Sequence, residues 1–509
     1  MMTPRPWTVP LAAFLLASVI ATFAQCGGDA TAASPAPGPK VPVPNLPGPP
    51  SGLTQDPARQ PAIPQNVDRV RLLVSGAMLG RLEPCGCASG QLGGLPRRMQ
   101  HVGEQSLGGR KTYDLLIEGG DMVEGATELD MQKVFTALQV LFGMQHPYDV
   151  LGIGQKDLEL PFAEWTSYLA MAPVVATDLT STAAEWPGKP FVEKQVRNHK
   201  IRVLSFTLAL PEVMQKEGAP IQLLAPAEAW KLGLQGAEDA TLRILLVHAT
   251  DGKTRELLPK LDPKPDLVLC FDEGYTEPPA HPELLNGVPI VYPGTRGRML
   301  LDVSLARLPE GPRAGYEILP LQGSKTIPGG GGDPDTKEVL LQHRLLVKED
   351  HVLAKMANQR PTANGATYVG SATCAGCHAT AYDIWKNKTK HGHAWQTLVD
   401  AEKDPKRYGW PVTAYPDCVS CHVVGYGEKS GFVTAEDTPS LTDVGCERCH
   451  GAGSDHVQSG GKKAMGKVGG GMASVVCTQC HDFEQSPDFL YTNKWPLIQH
   501  GREPGQQKK

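Results

Sequence analysis

The sequence contains no run of Lys and Arg residues and no apolar stretch long enough to span a bilayer comfortably. The formal net charge is −5 at pH 7, so neither the charge nor its pattern indicates a nucleic-acid partner. Hydrophobic residues make up 41% of the chain and charged residues 20%, proportions that indicate a folded protein and exclude a disordered one. A chain of 509 residues is too long for one ordinary domain, and we expect two or three.

The first residues have the pattern of an export signal. Arg5 precedes a short apolar stretch, and small residues around Ala24 provide a cleavage point, so residues 1–25 are predicted to be a signal peptide. Two interpretations stay open for Cys26: a lipidated N-terminus, as in a lipoprotein, or a single exposed thiol. Residues 26–66 are rich in Pro, Ala and Gly and are predicted to form a linker. We therefore expect a protein that is periplasmic, or membrane-anchored and facing the periplasm or the cell exterior.

Apolar runs rich in β-branched residues alternate with helix-like segments across residues 67–328. This alternation predicts an α/β layered sandwich in which a sheet is buried between helices. Residues 329–365 are predicted to be a Gly-rich linker and a connecting helix, which runs from Asp335 to about Arg360. The predicted strands are 70–74, 113–117, 150–153, 201–206, 242–247, 267–271 and 288–292, and two predicted helices are 130–142 and 254–261.

Residues 366–509 have few Leu, Ile or Val residues but contain four Cys-x-x-Cys-His motifs. Two cysteines three apart can reach both vinyl groups of one haem, and the adjacent histidine then lies under the iron as its proximal ligand. Zinc sites and disulfides also use paired cysteines, but neither requires a histidine after every second cysteine. We predict four covalently attached haem c groups, held by Cys374, Cys377 and His378; Cys418, Cys421 and His422; Cys446, Cys449 and His450; and Cys477, Cys480 and His481.

Four haems in so short a segment are expected to form the core of their own domain, and therefore to lie close together. Closely packed haems form a conducting arrangement, so the protein is predicted to be an exported multihaem cytochrome that transfers electrons between redox partner proteins. The haem propionates would add roughly eight negative charges to the chain. Self-association of this acidic domain into a conducting assembly stays open as a further prediction.

Low-spin haems need a second axial ligand for each iron. After residue 366 the histidines outside the motifs are His391, His393, His456 and His500. Because His391 and His393 are two apart, they would point in nearly opposite directions on a helix, and we expect only one of them to meet an iron. For the fourth iron, the open alternatives are a five-coordinate state, an upstream histidine, Met465 or Met472.

The C-terminal region resembles the cytochrome c-554 family, whose members are tetrahaem electron carriers. The resemblance covers roughly residues 366–505, and it implies distal roles for His393, His456 and His500, with one five-coordinate haem in some members. The segments that carry it are Tyr368-Val369-Gly370-Ser371, His393-Ala394-Trp395-Gln396-Thr397-Leu398, Gly445-Cys446-Glu447-Arg448-Cys449-His450-Gly451 with Ser454 and His456, and Trp495-Pro496-Leu497-Ile498-Gln499-His500-Gly501.

The N-terminal region is similar to the calcineurin-like metallophosphoesterases, particularly the 5′-nucleotidase group. The residues that carry this similarity are Gly119-Gly120-Asp121, Gly154-Gln155-Lys156-Asp157 and His248. The family's Asp-x-His, Asn-His and Gly-His-x-His patterns are replaced by Ser75-Gly76-Ala77, Gln155-Lys156 and Phe271-Asp272-Glu273-Gly274. The resemblance therefore implies the metallophosphoesterase-like fold without its two metals.

A second function stays open beside electron transfer. The protein would then be a multihaem oxidoreductase that acts on a small nitrogen or sulfur compound, either at a five-coordinate haem or at a loop containing Cys85 and Cys87. Those two cysteines could form a disulfide, bind a metal with His101, act as exchange-active thiols or lie buried.

Overall fold

A computed structural model of the protein describes residues 62–84, 88, 90–106, 111–238, 241–323, 331–405, 408–466 and 471–500. The predicted signal peptide, Cys26, Cys85 and Cys87 lie outside the described residues. Within the described part of the chain, no helix is both long enough and apolar enough to cross a membrane.

Among the described residues, every strand lies in the predicted α/β region, and each predicted strand segment overlaps an observed one. Apolar β-branched residues give these segments their extended conformation. The strands are β1 (Val70–Ser75), β2 (Leu115–Glu118), β3 (Val150–Gly152), β4 (Val174–Val175), β5 (Leu179–Ser181), β6 (Val192–Val196), β7 (His199–Phe206), β8 (Ile221–Leu223), β9 (Leu242–Val247), β10 (Leu267–Cys270), β11 (Glu283–Leu285), β12 (Val288–Val291), β13 (Met299–Leu308) and β14 (Gly311–Pro320).

These strands form two six-stranded mixed sheets, which confirms the predicted α/β layered sandwich but with two sheets in place of the one expected. The first sheet has the order β14-β13-β1-β2-β3-β4 and the second β11-β12-β10-β9-β7-β6, while β5 and β8 form a separate pair. Parallel pairing brings Val74 opposite Ile117 in the first sheet and Val203 opposite Ile244 in the second. All four side chains belong to one apolar cluster that lies between the sheets. The sequence pattern could not show which strands belong to which sheet, because both faces of each sheet are buried and the strands are continuously apolar.

Helices cover the outer faces of both sheets. Apolar residues of α1, α2 and α3 pack on the first sheet, and those of α4 and α5 pack on the second. The N-terminus of α2 is fixed by a capping box, in which the Thr127 side chain accepts from the Asp130 N–H and the Asp130 carboxylate accepts from the Thr127 N–H. The five helices are α1 (Leu95–Glu104), α2 (Glu128–Gly143), α3 (Phe162–Leu169), α4 (Pro226–Gly233) and α5 (Asp251–Leu257).

The connecting segment forms two helices instead of the single helix predicted from Asp335 to about Arg360. Helix α6 spans Pro334–Glu349 and α7 spans Val352–Lys355. His351, between them, has a φ of 53°, a left-handed conformation that ends the first helix. Apolar periodicity runs through both helices, which is why the break is not visible in the sequence.

The region after residue 366 is built from short helices joined by loops and single turns. Its helices are α8 (Ser371–Ala375), α9 (Ala379–Asp383), α10 (Ala394–Lys403), α11 (Pro416–Val419), α12 (Cys446–His450), α13 (Ser454–Gln458), α14 (Gly471–Thr478) and α15 (Tyr491–Ile498).

Helix α6 joins the α/β region to the C-terminal region through apolar and polar contacts. Val347 of α6 and Leu129 of α2 share an apolar cluster with Trp410 and Val419. The buried imidazole of His343 lies between two hydroxyls, with Nδ1 3.0 Å from Thr136 Oγ1 and Nε2 3.0 Å from Tyr415 Oη.

Acidification is expected to weaken this interface. Burial, and secondarily Lys133, lowers the pKa of His343 to about 4, against an ordinary value of 6.5. Because the folded-state pKa is depressed, the stability that His343 contributes is present above pH 6.5 and is lost as the pH falls towards 4. At about 1.4 kcal/mol per pKa unit, the loss approaches about 3 kcal/mol. Thermal unfolding of the wild type and His343→Gln between pH 7 and 4.5 should show a shallower loss of stability in the variant. Parallel curves would contradict this account.

Candidate haem-binding sites

Asp121, Asp157 and His248 lie together at the carboxyl ends of β2, β3 and β9. The Asp157 carboxylate accepts backbone N–H groups of Asp121 at 2.7 Å, Met122 at 2.8 Å and Gly154 at 3.0 Å. His248 Nδ1 lies 3.5 Å from Asp121 Oδ2. Burial, and secondarily the charge of Asp121, raises the pKa of Asp157 to about 7. The Asp121 carboxylate accepts the Lys156 N–H at 2.9 Å, so both carboxylates bind backbone N–H groups of the loops at this edge.

An aromatic ring fills the space between these strand ends. Phe271 stacks on His248 with ring centroids 5.0 Å apart. A Cβ atom placed on Gly76 would come within 2.4 Å of the Phe271 ring, and one on Gly119 within 2.2 Å. Only glycine at both positions leaves room for the ring. Among the described residues, no group of three or more His, Cys, Asp or Glu side chains could hold a metal ion.

Each Cys-x-x-Cys-His motif begins in a short helix. The first cysteines, Cys374, Cys418, Cys446 and Cys477, lie in α8, α11, α12 and α14 respectively. The helical turn continues through the motif, since the His378 and His481 N–H groups each donate over 2.9 Å to the carbonyl of their first cysteine. Positions i, i+3 and i+4 share one face of a helix, so these two turns present two thiols and an imidazole together. None of the eight motif cysteines, all of which lie in the described part of the chain, forms a disulfide.

Three of the motif histidines each face a second histidine, and the space between the two rings is wide enough for one metal ion. The ring centroids of His378 and His456 are 6.1 Å apart, those of His481 and His391 6.1 Å, and those of His450 and His500 5.8 Å. A metal–imidazole bond is about 2 Å long, so two imidazoles on opposite sides of one metal ion have centroids about 6 Å apart. The residues therefore fit three irons, each with two histidine ligands.

Hydrogen bonds to carbonyl oxygens orient several of these imidazoles. Nδ1 of His450 lies 2.8 Å from the carbonyl oxygen of Gly466. Nδ1 of His456 lies 2.7 Å from the carbonyl oxygen of Lys463, and Nδ1 of His422 lies 2.6 Å from that of Ala394. A carbonyl can only accept, so each Nδ1 carries the proton and each Nε2 keeps the lone pair that binds a metal. His481 differs, because its Nδ1 lies 2.9 Å from the hydroxyl of Ser486.

The histidines of the His391–His393 turn have different surroundings. His391 is partly buried opposite His481, and its Nδ1 is a buried atom without a hydrogen-bond partner in the described part of the chain. Burial, and secondarily the His481 charge, lowers the pKa of His391 and so favours the neutral form that binds metals. His393 is exposed, and its Nε2 lies 2.9 Å from the Lys386 carbonyl. The structure therefore brings His391, and not His393, to a motif histidine.

The motif sulfurs come together in an order that differs from the order of the motifs along the chain. A hydrogen bond joins the Cys374 and Cys446 thiols; it raises the pKa of Cys374 and lowers that of Cys446 to about 7. A second joins Cys421 and Cys480; it raises the pKa of Cys421 and lowers that of Cys480 to about 6. The first motif therefore lies beside the third, and the second beside the fourth.

The remaining candidate ligands have separate positions. Met465 lies beside Gly453, where its Cε would be 3.1 Å from an added Cβ. The side chain of Met472 lies outside the described residues.

Glu447 and Arg448 are the two residues between the cysteines of the third motif, and the sequence interpretation gave neither of them a functional role. Two opposite charges inside a Cys-x-x-Cys unit are nevertheless visible in the sequence, and they could have marked these residues as candidates.

Comparison with known proteins confirms the resemblance predicted for the C-terminal region. Residues 373–451 match the family model described as cytochrome c554 and c-prime. Cytochrome c-554 of Nitrosomonas europaea is 34% identical over 157 residues, which cover 26% of this chain and 66% of that protein. The chain thus spans slightly less than two thirds of the relative that it matches.

Solved structures similar to this chain include several phosphoesterases. The NAD nucleotidase of Haemophilus influenzae is 15% identical with a TM-score of 0.45, over 60% of this chain and 64% of that one. A 5′-nucleotidase precursor from Thermus thermophilus is 13% identical with a TM-score of 0.43, over 58% of this chain and 61% of that one.

Proposed function

We propose that residues 366–509, as a cytochrome c-554-like domain, bind four haem c groups and pass electrons through them between redox partner proteins. Haem c supplies an iron that alternates between the ferrous and ferric states and so carries one electron at a time. The pairs of histidines about 6 Å apart carry this proposal, because that spacing suits an iron between them. The family match over residues 373–451 supports the same chemistry.

The proposed attachment and ligand residues follow from the geometry of the motifs. The thioether bonds would be made by Cys374, Cys377, Cys418, Cys421, Cys446, Cys449, Cys477 and Cys480, and the proximal ligands would be His378, His422, His450 and His481. We assign distal roles to His456, His391 and His500. His391 takes the place that the family resemblance implied for His393, since His393 Nε2 is held at the Lys386 carbonyl.

Contacts between motif sulfurs support a continuous path for electrons. Because each motif sulfur would bond to the edge of its haem, two adjacent sulfurs would bring two haem edges together. The Cys374–Cys446 and Cys421–Cys480 contacts would join haems one and three, and haems two and four. Arg448, between the two cysteines of the third motif, lies 3.6 Å from Cys480 Sγ of the fourth, which would bring haems three and four together. The proposed order in space is therefore one, three, four, two.

The proposed location is the periplasm, or a membrane surface facing it, as the predicted signal peptide and linker indicate. The α/β domain would hold the haem domain through α6 and act as a docking unit, with its metal-site position filled by Phe271. The acidic holoprotein would meet redox partner proteins rather than nucleic acid, and self-association remains part of the proposal.

Haem content tests this proposal. The mass of the mature holoprotein, expressed with a haem-attachment system, is expected to exceed that of the polypeptide by four haems. Replacing Cys477 and Cys480 by serine should reduce the count to three, because both thioether bonds of one haem are lost. Cys270→Ser is the matched control, since Cys270 is buried in the α/β core and should leave the count at four. A wild type without covalent haem would overturn the proposal.

A cavity of about 220 Å³ favours the oxidoreductase function as a second candidate. It lies where the segment after the fourth motif meets the α/β domain, and its lining includes Arg81, Glu83, Gln91, Arg298, Phe483 and Glu484. Cys85 and Cys87 lie outside the described residues. Absorption spectra that are unchanged by CO, nitrite and hydroxylamine would exclude catalysis at a haem, and unchanged thiol-dependent activity in Cys85→Ser would exclude catalysis at the loop.

A further inference from the structure

Glu447 and Arg448 are adjacent in the third motif but contact different parts of the haem domain. The Glu447 carboxylate is 2% exposed and accepts backbone N–H groups of Val369 at 3.0 Å, Gly370 at 2.8 Å and Gly453 at 2.8 Å. Val369 and Gly370 lie five and four residues before Cys374, the first cysteine of the first motif. A buried carboxylate with several N–H donors is a fixed negative charge in a medium of low dielectric.

The Arg448 guanidinium extends towards the fourth motif. Its Nη2 lies 3.6 Å from Cys480 Sγ and its Nη1 3.3 Å from Gln479 Oε1, while its Nε is buried without a partner among the described residues. Arg448 thus places a positive charge beside a haem-attachment sulfur. An arginine keeps this charge at every pH at which the protein folds.

The two charges lie beside different motifs. The Glu447 carboxylate follows Cys446 directly in the sequence and is held by the backbone N–H groups of Val369 and Gly370, just before the first motif. The Arg448 guanidinium lies 3.6 Å from Cys480 Sγ of the fourth motif, and Cys480 is hydrogen-bonded to Cys421 of the second motif. The third motif therefore lies at the boundary between a negative half and a positive half.

We infer that Glu447 and Arg448 polarise the haem array, so that electrons move from haems one and three towards haems two and four. This inference rests on the proposed function. A negative charge near a haem opposes the uptake of an electron and lowers its reduction potential, whereas a positive charge raises the potential. The two side chains would act through their charges on the reduction potentials of the haems, without touching the iron.

Other charges near the fourth motif do not reverse this polarity. Glu484 pairs with Arg296 of the α/β domain at 3.0 Å, and Arg298 lies 4.0 Å from the same carboxylate. Electrons would therefore collect in the half of the array that lies against the α/β domain, next to the cavity bordered by Phe483 and Arg298.

Redox titration of the holoprotein and of two charge-neutral variants tests this inference. The wild type should show a low-potential and a high-potential pair of haems. Glu447→Gln should raise the low pair and leave the high pair nearly unchanged, while Arg448→Gln should lower the high pair. We expect each substitution to change the ratio of electrons in the two halves of the array about tenfold. This corresponds to a change of about 59 mV in the difference between the reduction potentials of the two pairs.

Arg448→Lys is the control, because it keeps the charge but loses the planar fork, and it should retain most of the wild-type separation. If Glu447→Gln does not fold, the two Arg448 variants decide the question alone. Shifts of the same sign in all four haems, or no shift in proteins that still carry four haems, would overturn the inference. A wild type with fewer than four haems would instead count against the proposed function, and the haem count is measured first.

Discussion

Replacing His391 by alanine is expected to convert one of the four proposed haems from low spin to high spin, whereas His393→Ala should leave all spin states unchanged. His391 faces His481 with ring centroids 6.1 Å apart, so its loss would remove the sixth ligand of one iron. His393 binds the Lys386 carbonyl through Nε2 and is exposed. Electron paramagnetic resonance of the oxidised holoprotein measures both outcomes.

The His391–His393 pair makes a well-matched comparison because both histidines belong to one short turn. The carbonyl of His391 accepts the Val444 N–H at 3.1 Å, which ties this turn to the segment preceding the third motif. A general disturbance of the turn would therefore affect both variants. Gain of a high-spin signal in His393→Ala, with none in His391→Ala, would contradict the assignment and restore the ligand implied by the family resemblance.

Arg98→Leu is expected to lower the free energy of unfolding of the α/β domain by about 3–5 kcal/mol, because it leaves the carboxylate of Glu118 buried and unpaired. Arg98 and Glu118 are 1% and 0% exposed, and Arg98 Nη1 lies 2.7 Å from Glu118 Oε2. Ser75 donates to the same Glu118 oxygen at 2.8 Å. Urea unfolding followed by circular dichroism measures the loss.

The double variant Arg98→Leu/Glu118→Leu separates the cost of a lone buried charge from the cost of altered packing. Since neither charge remains, it should recover much of the stability that Arg98→Leu loses. Lys463→Ala provides a surface control, because the Lys463–Asp455 pair is largely exposed and should contribute less than about 1 kcal/mol. A double variant as unstable as the single one would indicate that packing, and not charge, dominates.

Much of the α/β fold could be predicted because its strands are continuously apolar. Segment 242–247 was predicted and observed with the same bounds, and segments 70–74 and 267–271 differ from the observed strands by one residue. The predicted helix at 130–142 lies within α2, whose extra first turn comes from the Thr127 cap. Local patterns of this kind depend on neighbouring residues alone, so one sequence is sufficient to find them.

The contacts that position the candidate site are between residues distant in sequence, and local patterns do not contain them. No spacing rule shows that Cys374 meets Cys446, or that Phe271 lies against Gly76 and Gly119. The choice between His391 and His393 depends on a short turn and a carbonyl hydrogen bond. The sequence identified the motifs and their chemistry, whereas the order of the motifs in space required the fold.

The positions of the iron atoms in a crystal of the holoprotein, located by their anomalous scattering, test the central claim most directly. The account predicts four irons in a continuous row, with the iron of the first motif next to that of the third, the third next to the fourth, and the fourth next to the second. Three of these irons should each lie between two histidines: His378 and His456, His450 and His500, and His481 and His391. An isolated iron, or a row that follows the order of the motifs along the chain, would contradict the account.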